Sequence, residues 1–395
     1  MIRALVPLRN GRSHNIRRRF TSDVADLPTA DRAAATSLPP APFVHCSQRG
    51  FLMPEPIFLT DENLLAAIPA LIGFVPTDSL VIVVAVVHAD GTVRLGRITR
   101  FDLDPAMRLP RVIVADLNRA LGDQPVQRLI GAVVHDASDT TDLPYRSQLH
   151  QLVHQLHESG FTNTEFVHVP AFTAGAPWSC YDVADHTDTL PDPAISPLTA
   201  ERVLQGNRVY GNRDAFLAQF VPTPADVRDS IATLADPIAE DVQAEELAGD
   251  FPRLRRRLQL IDDAVTAATH GRLPTDQHEI AELIAALSSF LLRDIHLIQD
   301  TEQRCGAAQS LWLHLWRHAS DRYAPTMTAL TAVTAFLRKD GSVAGLIIQR
   351  GPRPTKLTGL VHRWMRESVD LAAMHTDIAD VAQQLRATLT TSTES

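Results

Sequence analysis

The stretch LLAAIPALIGFVPTDSLVIVVAVV, Leu64 to Val87, is the most apolar run in the chain, and it decides between a membrane span and the opening of a folded α/β domain. A bilayer crossing needs about 20 apolar residues in succession. This run carries Pro69, Pro76 and Asp78, with Gly73 among them. A proline inside a helix removes a hydrogen bond and clashes with the preceding turn, at about 3 kcal/mol, and an aspartate in hydrocarbon costs more. The run is therefore expected to divide. A short helix is capped by Thr60, has Asp61 and Glu62 at its positive end, and closes near Ala70. Gly73 to Ser79 turns the chain. Leu80 to Val87 is then a strand, apolar on both faces and so inside a sheet. Such a strand is too short to span a bilayer. The chain is expected to be soluble, with no membrane partner.

The remaining composition narrows the chemistry. The chain has 395 residues, 45% of them apolar and 21% charged, which is enough for a substantial core. Its net charge of −9 gives no global positive field, and nucleic acid is not an expected partner. Lysine occurs only at Lys339 and Lys356, and neither lies in a Gly-rich loop, so a phosphate-loop lysine is excluded. Cys46, Cys180 and Cys305 have neither metal-finger nor redox spacing, and a reducing, cytoplasmic compartment is the expectation. Residues 1–55 are rich in Arg, Ala, Ser, Thr and Pro, with RRRF at Arg17 to Phe20. They read as a disordered basic tail or translated upstream sequence, with Met53 as the working start.

After Val87, Asp90-Gly91 signals a hairpin, because both residues tolerate positive φ. A return strand through Val93, Leu95 and Ile98 follows, then a helix at Arg111 to Leu121 and a strand at Val126 to Val134. A helix at Arg146 to Glu158 stops at Gly160, and Glu165 to Phe172 is another strand. Strands separated by helices imply parallel crossovers, and the hairpin adds an antiparallel member. Residues 56–195 thus read as an α/β domain with a mixed sheet and flanking helices. An irregular, proline-rich passage runs from Ala174 to Pro197. Residues 196–390 read as an all-α domain, with helices at Pro224 to Leu234, Ile238 to His270 (with a break), Thr275 to Gln299 and Thr301 to Ala319, and further helices to Leu389.

Several clusters carry candidate chemistry. His150, His154 and His157 share one helix face at i, i+4 and i+7, as a metal site on one helix would require. The apolar stripe of Leu149, Leu152, Val153 and Leu156 lies beside them, so a solvated polar flank is the competing reading. His168 and His186 are available as outside ligands. In PWSCYDVADH, Trp178, Cys180, Asp182 and His186 follow a strand, where α/β domains tend to bind ligands. Cys180 near a histidine suits a nucleophile, whereas Trp178 and Tyr181 packed on a sheet edge would make the loop structural. Asp136, Asp78 and Ser79 complete the candidate ligand lining. The last two begin a strand and are expected at the opposite end of the sheet. The basic run Arg253 to Leu260 is flanked by acids and reads as an ion-paired helix. Trp312 and Trp316, four residues apart, read as core. No GxSxG, phosphate loop, GxGxxG or HExxH pattern occurs.

LLAAIPALIGFVPTDSLVIVV, PWSCYD, VLQGNRVYGNRDAF and SLWLHLWRHASDRYAPTMTALTAVTAFLRKDGSVAG together resemble the domain of unknown function 4192 family, from Pro54 to about Asp370. Gly73, Phe74, Pro76, Asp78 and Ser79 match its helix-turn-strand signature, and Gly206, Arg213 and Asp214 its later glycine and Arg-acid pair. The family has no established activity, and the resemblance leaves the cofactor unknown. Many relatives carry extra cysteines after the Trp-Ser segment. DVADHTDTLPDP stands there in this chain, so a role through those cysteines is not expected. FLRKDGSVAGL resembles the turn of a tetratricopeptide-type helix pair, which hints at a partner surface.

Two functions follow as expectations. The first is a non-enzymatic interaction or regulatory protein that binds a protein partner through the helical domain. The second is an enzyme or small-molecule sensor with a cleft beside the loop from Trp178 to His186.

Overall fold

The computed structural model describes residues 44–46, 61–87, 93–122, 124–137, 142–183, 186–204, 207–366, 369 and 371–391. In chain order the first part comprises β1 (Val44–Cys46), α1 (Asp61–Ile72), β2 (Ser79–Val87), β3 (Val93–Asp102), α2 (Leu103–Arg108), α3 (Pro110–Leu121), β4 (Val126–Val134), α4 (Arg146–Glu158), β5 (Thr164–Val169), β6 (Pro177–Cys180) and β7 (Thr187–Thr189). The seven strands form one sheet in the order β1-β3-β2-β4-β5-β6-β7. Only β4 and β5 pair in parallel; every other neighbouring pair is antiparallel. The mixed sheet with flanking helices expected from the sequence is what the chain forms. The Thr60 cap and the Asp90-Gly91 tip lie outside the described residues.

The opening run divides at Gly73, where its sequence places the turn. Pro69 sits inside α1, and the helix continues to Ile72. Proline forfeits a single amide donor, and the loss is tolerable where the helix is buried by its neighbours: Leu65 to Ile68 are at most 1% exposed. Gly73, with φ of 93°, ends the helix. β2 then lies between β3 and β4, and Leu80 to Val84 are at most 2% exposed. A strand covered on both faces has no polar alternation to show, as its sequence indicates. Among the described residues, no helix is long and apolar enough to cross a membrane.

The proline-rich passage is less irregular than its sequence suggests. β6 and β7 pair with each other and extend the sheet past β5. β1 also falls inside the stretch read as a tail, pairing Val44–Cys46 with β3.

Helices make up the rest: α5 (Pro197–Leu204), α6 (Arg213–Ala218), α7 (Ala225–Ala248), α8 (Phe251–Thr269), α9 (Gln277–Ala286), α10 (Phe290–Ile295), α11 (Glu302–His318), α12 (Ala324–Leu337), α13 (Gly341–Arg350), α14 (Lys356–Arg366) and α15 (Leu371–Thr391). The break foreseen before residue 270 falls at Gly249, whose φ of 66° suits glycine. Pro237, expected to separate two helices, lies within α7. α12 is buried all round from Met327 to Phe336. Two of its threonines avoid a desolvation cost by bonding their own helix: Thr328 Oγ1 donates to the Ala324 carbonyl and Thr331 Oγ1 to that of Met327, both at 2.8 Å. Trp312 and Trp316 are 0% and 4% exposed, as core residues should be. Residues Val44–Ser395 form one compact unit. Within it, the Ser342 hydroxyl donates to the Ile72 carbonyl at 3.1 Å, tying α13 to the end of α1.

Two titratable groups brace the helices. Burial alone would raise the Asp262 carboxyl, but hydrogen bonds from His296 and Arg386 outweigh it and hold that carboxyl well below its usual range. This joins α8, the end of α10 and α15. Burial, with His318 beside it, pushes His314 down to about 4. His314 Nε2 donates to the Pro274 carbonyl at 2.8 Å. In the unfolded chain a histidine titrates near ~6.5. Between ~6.5 and 4 the unfolded state therefore binds the extra proton, and stability falls as pH drops through that window. Discounted for the partial exposure of His314, the loss is about 2 kcal/mol. Urea midpoints at pH 7 and 4.5 should show it in the natural chain, and His314→Gln should flatten the slope.

Candidate functional site

The left-handed turn at Gly73 brings Phe74 under the sheet, where it is fully buried and stacks on Phe216 with ring centroids 5.3 Å apart. The Val75 amide donates to the Tyr210 carbonyl and the Tyr210 amide to that of Gly73, both at 2.9 Å. These bonds clip the turn before β2 to the segment entering α6. The Asn212 side chain caps α6 by accepting the Ala215 amide at 2.8 Å. As a result Asp78 and Arg213, far apart in sequence, border one cavity of about 570 Å³.

Strand direction supplies the other walls. β3 and β4 both run antiparallel to the β2 between them, so they point the same way. Ser79 pairs with Asp102 on one side and Val134 on the other. The beginning of β2 therefore lies at the carboxyl ends of β3 and β4. That is the end where open α/β sheets usually bind ligands. Asp102, Asp104, His135 and Tyr145 follow those strands and line the same cavity with Asp78, Arg100 and Arg213.

Two polar arrangements occupy it. On its floor Arg100, 5% exposed, donates from Nε to Ser79 Oγ at 2.8 Å and pairs through Nη1 with Asp102. Burial lowers the Arg100 pKa, while Asp102 pulls it back up. Arg213 Nη1 also donates to Asp102 Oδ1, at 3.2 Å, but its buried Nε has no hydrogen-bond partner. At the mouth, His135 Nδ1 lies 2.7 Å from Asp78 Oδ1. An aspartate in this position orients the imidazole. With Nδ1 donating to Asp78, Nε2 is left as an acceptor. Buried His168, kept neutral by desolvation, donates from Nε2 to the His135 carbonyl at 2.8 Å and fixes the backbone there.

Tyr145 closes the wall, with its ring edge-on to His135 at 5.6 Å. Its hydroxyl donates to Asp104 Oδ1 at 2.6 Å, and that bond holds the phenol proton, pushing the group up to about 12. Among the described residues three non-glycines have positive φ; two of them, Asp78 at 41° and Tyr145 at 58°, border this cavity. Each such residue costs on the order of 1–3 kcal/mol, and such strain tends to collect at functional sites.

Of the ligand candidates read from sequence, Asp78 alone lines the cavity. Its expected position at the far end of the sheet was wrong, because β2 pairs antiparallel with β4. Ser79 shares that end but is fully buried; its hydroxyl donates to the Thr77 carbonyl and supports Arg100, so it is a floor strut and does not face a ligand. Asp136 is exposed beside His135 but is not part of the lining. Trp178 and Cys180, 2% and 5% exposed, pack into the β5-β6 edge. Asp182 accepts the Phe166 amide at 3.4 Å, and exposed His186 meets the Trp178 ring edge-on at 5.1 Å. The loop does touch the cavity wall indirectly: the Tyr181 hydroxyl donates to the Pro144 carbonyl at 2.6 Å, next to Tyr145.

The histidine row lies on α4. His150 and His154 border a second cavity of about 650 Å³ between α3 and α4, while His157 Nε2 lies 3.0 Å from Thr164 Oγ1. Among the described residues, the group of three His, Cys, Asp or Glu whose donor atoms all lie within 4.8 Å of one another is Glu165, Cys180 and His186, and the row is not in it. Arg257 pairs with Glu245, and Arg253 with Asp250, along the basic run.

Sequence reasoning missed Arg100, Asp102, Asp104, His135 and Tyr145. A signal was present in RFDLD, where Arg100, Asp102 and Asp104 alternate at a strand end. The model of one protein family, described as domain of unknown function (DUF4192), matches residues 62–389. No curated protein and no solved structure matches the chain.

Proposed function

Since the chain belongs to the DUF4192 family, a domain of unknown function, its activity has to be argued from the site, and we propose that the cavity at the carboxyl ends of β3 and β4 binds a small polar molecule through an anionic group and exchanges a proton with it. The observation that carries this reading is the Asp78–His135 pair, held in a strained turn beside Arg213, whose Nε has no hydrogen-bond partner. Arg213 has donors to spare for a carboxylate or phosphate. Asp102 holds it without using them all. His135 Nε2 is the proton acceptor, with Asp78 orienting the ring. Tyr145, whose proton is committed to Asp104, shapes the wall. Ser79 is buried and supplies no nucleophile, so the supported chemistry is acid–base: water activation or proton abstraction.

A thermal-shift screen of carboxylated and phosphorylated metabolites tests it. A ligand at about 100 times its Kd adds roughly 2.7 kcal/mol. Arg213→Met should weaken that ligand about 10–100-fold, the worth of a charged hydrogen bond. His135→Gln should keep binding and lower turnover by about 10²–10⁴-fold. Failure of every anionic compound to stabilise the chain would remove the reading.

A cytoplasmic location is proposed with it, supported by Cys180 being a buried free thiol.

A further inference from the structure

We infer that Glu165, Cys180 and His186 form a site for a single Zn²⁺-like cation on the β5-β6 edge, independent of the cavity described above. Their donor atoms all lie within 4.8 Å of one another. Carboxylate, thiolate and imidazole together are the donor set of a borderline-soft divalent ion, and a hard ion such as Mg²⁺ or Ca²⁺ would not favour the sulfur. None of the three lines the cavity that holds His135.

The fold explains the meeting. β6 pairs antiparallel with β5, with Val167 opposite Cys180, so Glu165 and Cys180 fall on the same face two residues out of register. The Cys180 amide donates to the His186 carbonyl at 2.9 Å, which returns the loop and sets His186 over that face. Arg128 pairs with Glu165 Oε2. A carboxylate has a second oxygen, so this pair and a metal bond are compatible, and Arg128 becomes an orienting neighbour of the ligand. In a tetrahedral zinc site the donors sit about 3.3–3.7 Å apart, given bonds of ~2.0–2.3 Å. The approach needed is about 1 Å, and the exposed His186 ring can supply it by rotation. Three protein donors leave the fourth position to water or to an exogenous group, the pattern of reactive and exchangeable sites.

On binding, the Cys180 S–H bond breaks, sulfur keeps the electron pair for the metal, and the proton passes to solvent. Binding therefore releases a proton and weakens as pH falls.

Co²⁺ titration of the full chain tests the site. The expected result is one Co²⁺ per chain, a thiolate-to-cobalt charge-transfer band in the near ultraviolet, and its loss on Zn²⁺ addition. Cys180→Ser should abolish the band. His186→Ala, at an exposed position, should fold normally and weaken binding at least ~10-fold. Absence of the band in the natural chain, or a band and affinity that survive both substitutions, would overturn the assignment.

Discussion

Asp102→Ala is expected to cost about 3–5 kcal/mol of folding stability, read as a fall in the urea midpoint without a change in slope. Asp102 accepts from both Arg100 and Arg213, and Arg100 is 5% exposed. Removing the carboxylate leaves a buried guanidinium whose remaining neutral partner is the Ser79 hydroxyl. Losing one member of a buried pair costs far more than the pair itself contributes. The double substitution Arg100→Met with Asp102→Leu should therefore recover more than half of the loss. Arg213, a third exposed, can still reach water. The double variant should nonetheless bind the cavity ligand more weakly, because Arg213 loses the carboxylate that holds it, which separates stability from function. A cost below about 1 kcal/mol for Asp102→Ala alone would mean that the floor is hydrated.

Gly131→Val should be comparably damaging. Gly131 of β4 sits opposite Phe166 of β5, and a Cβ there would lie 2.1 Å from the Phe166 ring. Phe166 is fully buried, so its ring cannot swing into solvent. Overpacking of this kind costs about 3 kcal/mol or more. The clash falls on the parallel pair that presents His135. Phe166→Ala should be destabilising alone, by about 3–5 kcal/mol. Combined with Gly131→Val it should cost clearly less than the sum, because each change makes room for the other.

Legibility in the sequence followed the range of the forces involved. β4 and α4 were readable to the residue, and β2 to within one, because hydrophobic period and local stop signals define them. Pro237 misled because burial of the surrounding helix outweighs the loss of one hydrogen bond. β6 and β7 were hidden because they are short and lie within a proline-rich passage. The site was harder. Its position depends on β2 pairing antiparallel with β4, a tertiary choice that no local pattern encodes, and that choice alone moves Asp78 to the ligand end. Arg213 reaches Asp102 across 111 residues. RFDLD and the left-handed Asp78 were present as residues, but they acquire meaning only once Ser79 is known to face Asp102 and Val134.

The most direct test is amide hydrogen exchange, measured with and without an anionic ligand that stabilises the chain. Slowed exchange in 76–80, 102–105 and 212–216, lost in Arg213→Met, is the predicted result. Protection confined to the β6-β7 hairpin or to the helices after residue 220 would place the working surface elsewhere and contradict the assignment of the cavity.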